Sequence, residues 1–232
     1  MSVILAIDTS TNACSAALLN KGELIQEISL EPRSHTKLLL GMVDKVLSSA
    51  QLTVAQLDAI AYTSGPGSFT GLRIGMGVVQ GLAFGADLPV VGISTLQALS
   101  LGAVKSCELE TGQLILPAFD ARMGEIYWGG YRVDKTGSVV AECNDQLTTP
   151  ELVGGNLSDE SGIIGVGEGW QFESEFPVQP VKVVVDLMPE AKDVALLAEP
   201  LVKQGKVVPI EQAELVYLRD TVSWKKREKL RK

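Results

Sequence analysis

This chain of 232 residues contains one histidine, His35. A metal site built on two histidines is therefore excluded within the chain, and any Ser–His or Cys–His catalytic pair must recruit His35. Cysteine is also scarce. Cys14, Cys107 and Cys143 are odd in number, far apart and without the C-x-x-C spacing of zinc or redox sites. They read as buried or free thiols in a reducing compartment. Basic residues are outnumbered, 20 Lys+Arg against 28 Asp+Glu, for a formal net charge of -8. Surfaces that grip a phosphate backbone are basic, so that class is excluded for the body of the chain. The last ten residues, Ser223–Lys232, hold six positive charges and one negative, a net +5, which leaves residues 1–222 at -13. The first residues, MSVILAIDTST, lack a basic stretch and meet Asp8 too early for a signal peptide. The most apolar stretch, Ile74–Ile93, is broken by Gln80, Asp87 and Pro89 and is a poor membrane span. What is present, 46% hydrophobic and 21% charged residues, suits a globular chain with a core of normal size. A soluble, cytoplasmic protein is expected, with no membrane association.

The chain reads as α/β. Val3–Ile7 is a short apolar run ending in Asp8, a buried strand with a carboxylate at its end. Strands are expected over Ala13–Leu19 and Glu23–Leu30, joined by the turn Asn20-Lys21-Gly22 and ended by Pro32. Apolar residues at 39, 40, 43, 46 and 47 predict a helix over 36–47. A strand over Leu57–Thr63 leads to the loop Ser64-Gly-Pro-Gly-Ser68 and a helix over 69–84, with Ser68 as N-cap. Glycines at 67, 71 and 75, then at 77, 81 and 85, recur at helical spacing. Each costs up to about 1 kcal/mol against alanine inside a helix, so a close approach by another element must offset them. A strand over Leu88–Ile93 and a helix over Ser94–Val104 complete the first half.

The pattern then restarts. Strands are expected over Gln113–Phe119, Glu125–Val133 and Ser138–Cys143, and Ala118-Phe119-Asp120 repeats Ala6-Ile7-Asp8 at an offset of 112 residues. Two similar halves follow, 1–106 and 107–232. The second reads as less regular: a strand over Ser161–Val166, loop over Gln171–Pro180, a short strand over Val181–Val185, and a helix over Ala191–Gln204 disturbed by Pro200.

Few motifs carry chemistry. The segment Gly65–Arg73 lacks the lysine of a Walker loop, and Thr70 stands where a dinucleotide fingerprint needs its last glycine. Anion binding at this helix start competes with plain packing. The G-x-S-x-G elbow is absent. Asp8 and Asp120 are strand-end carboxylates that in a two-lobed fold could face each other and hold a magnesium nucleotide; turn formation is the simpler role. The tail with Trp224 could touch RNA or be a solvated terminus.

The segments Ile4–Ser10, Gly65–Gly75 and Asp120–Trp128, with Val216–Asp220 and Trp224–Lys226, resemble the bacterial TsaB (YeaZ) family. The resemblance implies the actin-like, sugar-kinase-like (ribonuclease H-like) fold, with two tandem lobes of duplicated βββαβα units. It implies a noncatalytic subunit for threonylcarbamoyladenosine modification of tRNA, working as partner and scaffold of the transferase TsaD. TsaD in that family holds its metal with a histidine pair on the helix after the third strand. Here His35 stands at that place, and the position four residues on is Leu39. Phosphate-binding relatives carry glycine at the first turn of each lobe, where this chain has Ser10 and Arg122. No catalytic residue, metal or intrinsic cofactor is expected. ATP enters only at the level of the complex, and Asp8, Ser10 and Asp120 are the nucleotide-cleft candidates. The alternative is a nucleotide-binding, kinase-like ATPase using that cleft; a peptidase reading lacks both metal pair and elbow. The implied partners are TsaD in a heterodimer and the ATPase TsaE through the complex, with a homodimer when alone and only indirect contact with tRNA. The implied interface is His35, Leu39, Leu40, Val43 and Val46 on the first helix and Ser68, Phe69, Gly71, Leu72, Gly75 and Met76 on the glycine helix. Bulk at Gly71 or Gly75 is then expected to weaken association more than folding.

Overall fold

The computed structural model describes residues 2–31, 34–155, 157 and 162–219. Pro32, Ser161 and the basic segment Ser223–Lys232 lie outside the described residues.

Two five-stranded sheets repeat one topology. In the first, β1 (Val3–Asp8), β2 (Cys14–Asn20) and β3 (Glu23–Ser29) form an antiparallel meander. β4 (Ala59–Gly65) joins β1 in parallel and β5 (Val90–Ser94) joins β4 in parallel, for the order β3-β2-β1-β4-β5. In the second, β6 (Leu114–Arg122), β7 (Glu125–Val133) and β8 (Val139–Thr148) make the meander. β9 (Ile164–Val166) and β10 (Lys182–Val184) add in parallel, so the order β10-β9-β6-β7-β8 is the first sheet's order read from its other edge. This is the duplicated actin-like, ribonuclease H-like arrangement.

The central strands are continuous apolar runs because both their faces are covered. Along β1, Ile4 and Ala6 enter one core while Leu5 and Ile7 enter another, as the two-residue period of a strand requires. The second of these cores lies under α1 (His35–Ser49) and α2 (Phe69–Ala86) on the outer face of the first sheet. The first lies between the sheets, around α3 (Thr95–Ser106) and α4 (Ala191–Lys203). α3 packs on β6, β7 and β8 and also touches β4 and β5, while α4 packs on β1, β2, β4 and β5. A helix of the second half therefore covers the first sheet. Its leading amides donate to first-half side chains, Ala191 N to Ser15 Oγ at 2.9 Å and Lys192 N to Gln26 Oε1 at 2.8 Å, which satisfies donors a helix start leaves open. The two halves repeat a topology but share one core.

The second half replaces the outer helices with aromatic bulk. Among the described residues a 3-10 turn, Pro150–Leu152, stands between β8 and β9, and a 3-10 helix, Glu168–Glu175, stands between β9 and β10. The second covers ground the sequence reads as loop. Trp170, Trp128 and Phe176 fill the outer core there, with Trp170 Nε1 donating to Leu116 O at 2.8 Å. One buried indole hides the area of several aliphatic side chains while its N–H keeps a partner. Gly165 is required beneath that ring, since a Cβ on it falls 2.5 Å from the indole.

Most of the expected interface stripe is core. Leu72 of α2 is buried beside Gly65 at the end of β4, and Leu39, Val43 and Val46 of α1 with Met76 of α2 are buried against the chain's own sheet. They cannot face a partner, because the sheet's apolar outer face already takes them. Leu40, 100° round the helix from Leu39, is 57% exposed.

Candidate functional site

A cleft of about 690 Å³ opens between the sheets, at the carboxyl ends of β1 and β6. Ser10, Thr11 and Asn12 of the β1–β2 turn, Pro66–Phe69, and Phe119–Arg122 line it, together with Tyr127 and Glu168. The two strand-end carboxylates stand there in different states. Asp8 is fully buried and does not line the cleft. Its Oδ1 accepts from Ser10 Oγ at 2.6 Å, Ser10 N at 3.1 Å and Thr63 Oγ1 at 2.8 Å, while Oδ2 has no partner among the described residues. Burial pushes its pKa up, and the hydrogen bonds from Ser10 and Thr63 oppose this. Asp120 does line the cleft, but Arg122 holds both its oxygens: Nη1 to Oδ2 and the backbone N to Oδ1, each at 2.7 Å. Arg122 and Met123 sit in the left-handed region, at φ 66° and 62°, where glycine is usual. Burial also pushes Glu168 up, against the opposing charge of Arg122.

The start of α2 is closed by the chain itself. Ser68 Oγ accepts from Gly71 N at 3.1 Å, and Ser68 N donates to Ser10 O at 2.7 Å. A Cβ on Gly67 falls 2.5 Å from Ser10 O, one on Gly71 2.1 Å from Thr9 O, and one on Gly75 2.4 Å from Thr9 Oγ1. These glycines admit the β1–β2 turn and not a partner helix, which corrects the expectation for Gly71 and Gly75. His35 belongs to the same knot: 7% exposed, its Nε2 meets Thr11 O at 2.9 Å. A nucleotide triphosphate needs donors facing the cleft. At this cleft the helix start is capped by Ser68, Gly67 and Gly71 are covered by the β1–β2 turn, and Arg122 pairs with Asp120. No group of three or more His, Cys, Asp or Glu able to hold a metal occurs among the described residues.

The bare surface is on the other side of the same helices. Added Cβ atoms at Gly41 of α1 and at Gly77, Gly81 and Gly85 of α2 meet nothing within 4 Å. Exposed beside them are Leu40 and Phe84, the latter 77% accessible. Phe69, 62% exposed, starts the stripe at the cleft rim. Of the expected interface residues, Leu40, Ser68 and Phe69 are thus in the open.

The segment after α4 closes the front. Tyr62 Oη donates to Glu214 O at 3.1 Å and Val216 N to Ser64 O at 2.8 Å, fastening it to β4. Arg219 then reaches the β6–β7 turn, donating to Arg122 O at 3.2 Å and pairing with Glu125. Ile210, Ala213 and Leu215 pack on the first sheet's outer core, but no period of strand or helix marks this strap, because its polar fastenings are to backbone and to the distant turn.

A family model described as "TsaD: tRNA N6-adenosine threonylcarbamoyltransferase" matches residues 27–173. A protein of Escherichia coli K12 named "tRNA threonylcarbamoyladenosine biosynthesis protein TsaB" is 42% identical over 96% of this chain and 97% of its own length. The chain belongs to the TsaB family. The Haemophilus influenzae protein of the same name is 39% identical, covering 96% of each chain. The fold agrees: the solved structure of YeaZ from Pseudomonas aeruginosa matches with a TM-score of 0.88 at 39% identity, covering 94% of this chain and all of that one. A second solved structure from that organism, described as an uncharacterized protein with similarity to peptidase YEAZ, matches with a TM-score of 0.89.

Proposed function

We propose that this chain is a noncatalytic subunit for tRNA threonylcarbamoyladenosine biosynthesis, and that it binds and positions a TsaD-type transferase through the outer faces of α1 and α2. The observation that carries this is the contrast across α2. Its inner glycines are consumed by the chain's own turn, while Gly77, Gly81 and Gly85 face open space beside Phe84. Helix interiors keep glycine at a cost of about 1 kcal/mol each against alanine, and a second helix seated on this smooth face offsets that cost. Coexpression with the organism's TsaD-type protein and size-exclusion chromatography test the pairing. Leu40→Asp and Phe84→Asp are each expected to weaken it at least about tenfold, as buried apolar anchors do, with melting temperature unchanged. Separate elution of the wild-type proteins contradicts the proposal.

The same face supports self-association when no partner is present, and Leu40→Asp is then expected to leave a monomer in sedimentation. ATP and the TsaE-type ATPase act on the pair and not on the free chain. Calorimetry is accordingly expected to show no ATP binding by the isolated protein, before or after Asp8→Ala. Binding lost in that variant favours the kinase-like alternative instead. With a formal charge of -8, the chain leaves the grip on tRNA mainly to its partner, in the cytoplasm where tRNA is modified.

A further inference from the structure

Phe69 and Arg73 lie one turn apart at the start of α2, and Tyr217 of the strap stands beside them. The two rings are tilted at 48° with centroids 5.7 Å apart. Arg73 Cζ sits 3.3 Å from the Phe69 centroid and 5.0 Å from that of Tyr217. All three residues are exposed. The strap fixes Tyr217 from both sides, through Val216 N to Ser64 O and through Arg219 to Glu125, so the cluster is preformed.

The charge of Arg73 is not matched. Of the four described arginines, Arg122 pairs with Asp120, Arg132 with Glu142 and Arg219 with Glu125. Arg73 has no carboxylate among the described residues, and its one hydrogen bond runs 3.5 Å to Phe69 O. A guanidinium laid flat on a ring keeps its in-plane donors free and loses little freedom when they are used. Arginine with flanking aromatics is also the composition of an interface hot spot.

We propose that Phe69, Arg73 and Tyr217 extend the partner face beyond α1 and α2, and that Arg73 receives a carboxylate of the TsaD-type partner in a two-pronged ion pair. This rests on the partner reading above. Arg73 lies on the same exposed side of α2 as Gly77 and Gly81, so a partner seated on the glycines meets it next. An unneutralised cation selects an anion, and a planar fork takes carboxylate or phosphate in two-pronged fashion; its place on the same helix side as the bare glycines, on a chain of net charge -8, favours a carboxylate of a protein partner over nucleic-acid phosphate.

The test measures affinity of the full chain for the organism's TsaD-type protein at low and high salt, with melting temperatures alongside. Arg73→Ala is expected to weaken binding about tenfold or more and to flatten its salt dependence, with the melting temperature unchanged. Arg73→Lys should recover little, since an ammonium has no planar fork. Tyr217→Ala should weaken binding, and Tyr217→Phe should not. If Arg73→Ala binds like wild type while Leu40→Asp abolishes binding, this proposal falls and the partner reading stands. If Leu40→Asp and Phe84→Asp both bind like wild type, both fall. Reduced tRNA retention by the complex with unchanged partner affinity assigns the anion to phosphate and overturns the proposal. A parallel loss of stability and affinity reduces the cluster to a structural role and overturns it as well.

Discussion

Gly71→Leu is expected to leave no folded protein, and Gly71→Ala to cost about 3 kcal/mol or more, at the upper end of what overpacking usually does. The reason is the material behind the position. A single added methyl falls 2.1 Å from Thr9 O, and that oxygen is backbone in the turn that also carries Ser10. Thr9 Oγ1 donates to Gly71 O at 2.8 Å and Ser10 O accepts from Ser68 N at 2.7 Å, so turn and helix start move together or not at all. Gly77→Ala is the matched control. Nothing lies within 4 Å of the added atom, so the change should raise stability by up to about 1 kcal/mol through helix propensity alone. Chemical denaturation with circular dichroism separates the two: a cooperative transition shifted upward for Gly77→Ala, and loss of the folded baseline for Gly71→Leu. A Gly71→Ala variant as stable as wild type would falsify the packing account.

That pair of variants also marks what the sequence could say. Both glycine series were visible as spacing, and spacing alone establishes that a helix has two smooth sides. Which side meets protein depends on where the turn after β1 lies, 62 residues upstream of Gly71, and no local pattern encodes that distance. The same holds on α1: Leu39 and Leu40 are adjacent in one apolar run, yet one enters the core and the other faces outward. The duplication was legible because each β meander is local and the first strand of each runs from a buried stretch into a carboxylate, Asp8 or Asp120. The cross-over of α4 onto the first sheet was not, since its seat is made by Ser15 and Gln26, more than 160 residues away. At the cleft, Arg122 was already the discordant residue in the sequence. The structure adds that it holds Asp120, turning a candidate ligand into one half of an ion pair. Val216–Asp220 stood out in the sequence as part of the family resemblance, but the course of the strap and the seat of Tyr217 beside Phe69 depend on contacts about 150 residues away.

Asp193→Asn is expected to stabilise the protein at neutral pH. Asp193 lies in the first turn of α4, 1% exposed, and neither carboxylate oxygen has a partner among the described residues. Gly102 of α3 stands against it: a Cβ there falls 3.1 Å from Oδ2. Burial pushes its pKa from 3.8 up to about 6, with Lys192 and Lys105 pulling it down and Glu190 pushing it up. The sign follows from which state holds the proton longer. Below 3.8 the carboxyl is neutral folded and unfolded, and its contribution is at its most favourable. As pH rises from 3.8 to about 6 the unfolded chain ionises first, and stability falls. Above about 6 the folded state carries the buried charge, and the loss is complete. That interval corresponds to about 3 kcal/mol, an upper figure because water or a small backbone shift relieves part of it. An amide stays neutral throughout, so Asp193→Asn should recover about 1–3 kcal/mol at pH 7.5 and little or nothing at pH 4, given that the amide must still find hydrogen bonds in the same space. Denaturation midpoints measured across that range decide the matter. A difference between variant and wild type that stays constant with pH means that Asp193 is not the titrating group, and a variant less stable at neutral pH means that the carboxylate has a partner worth more than its burial costs.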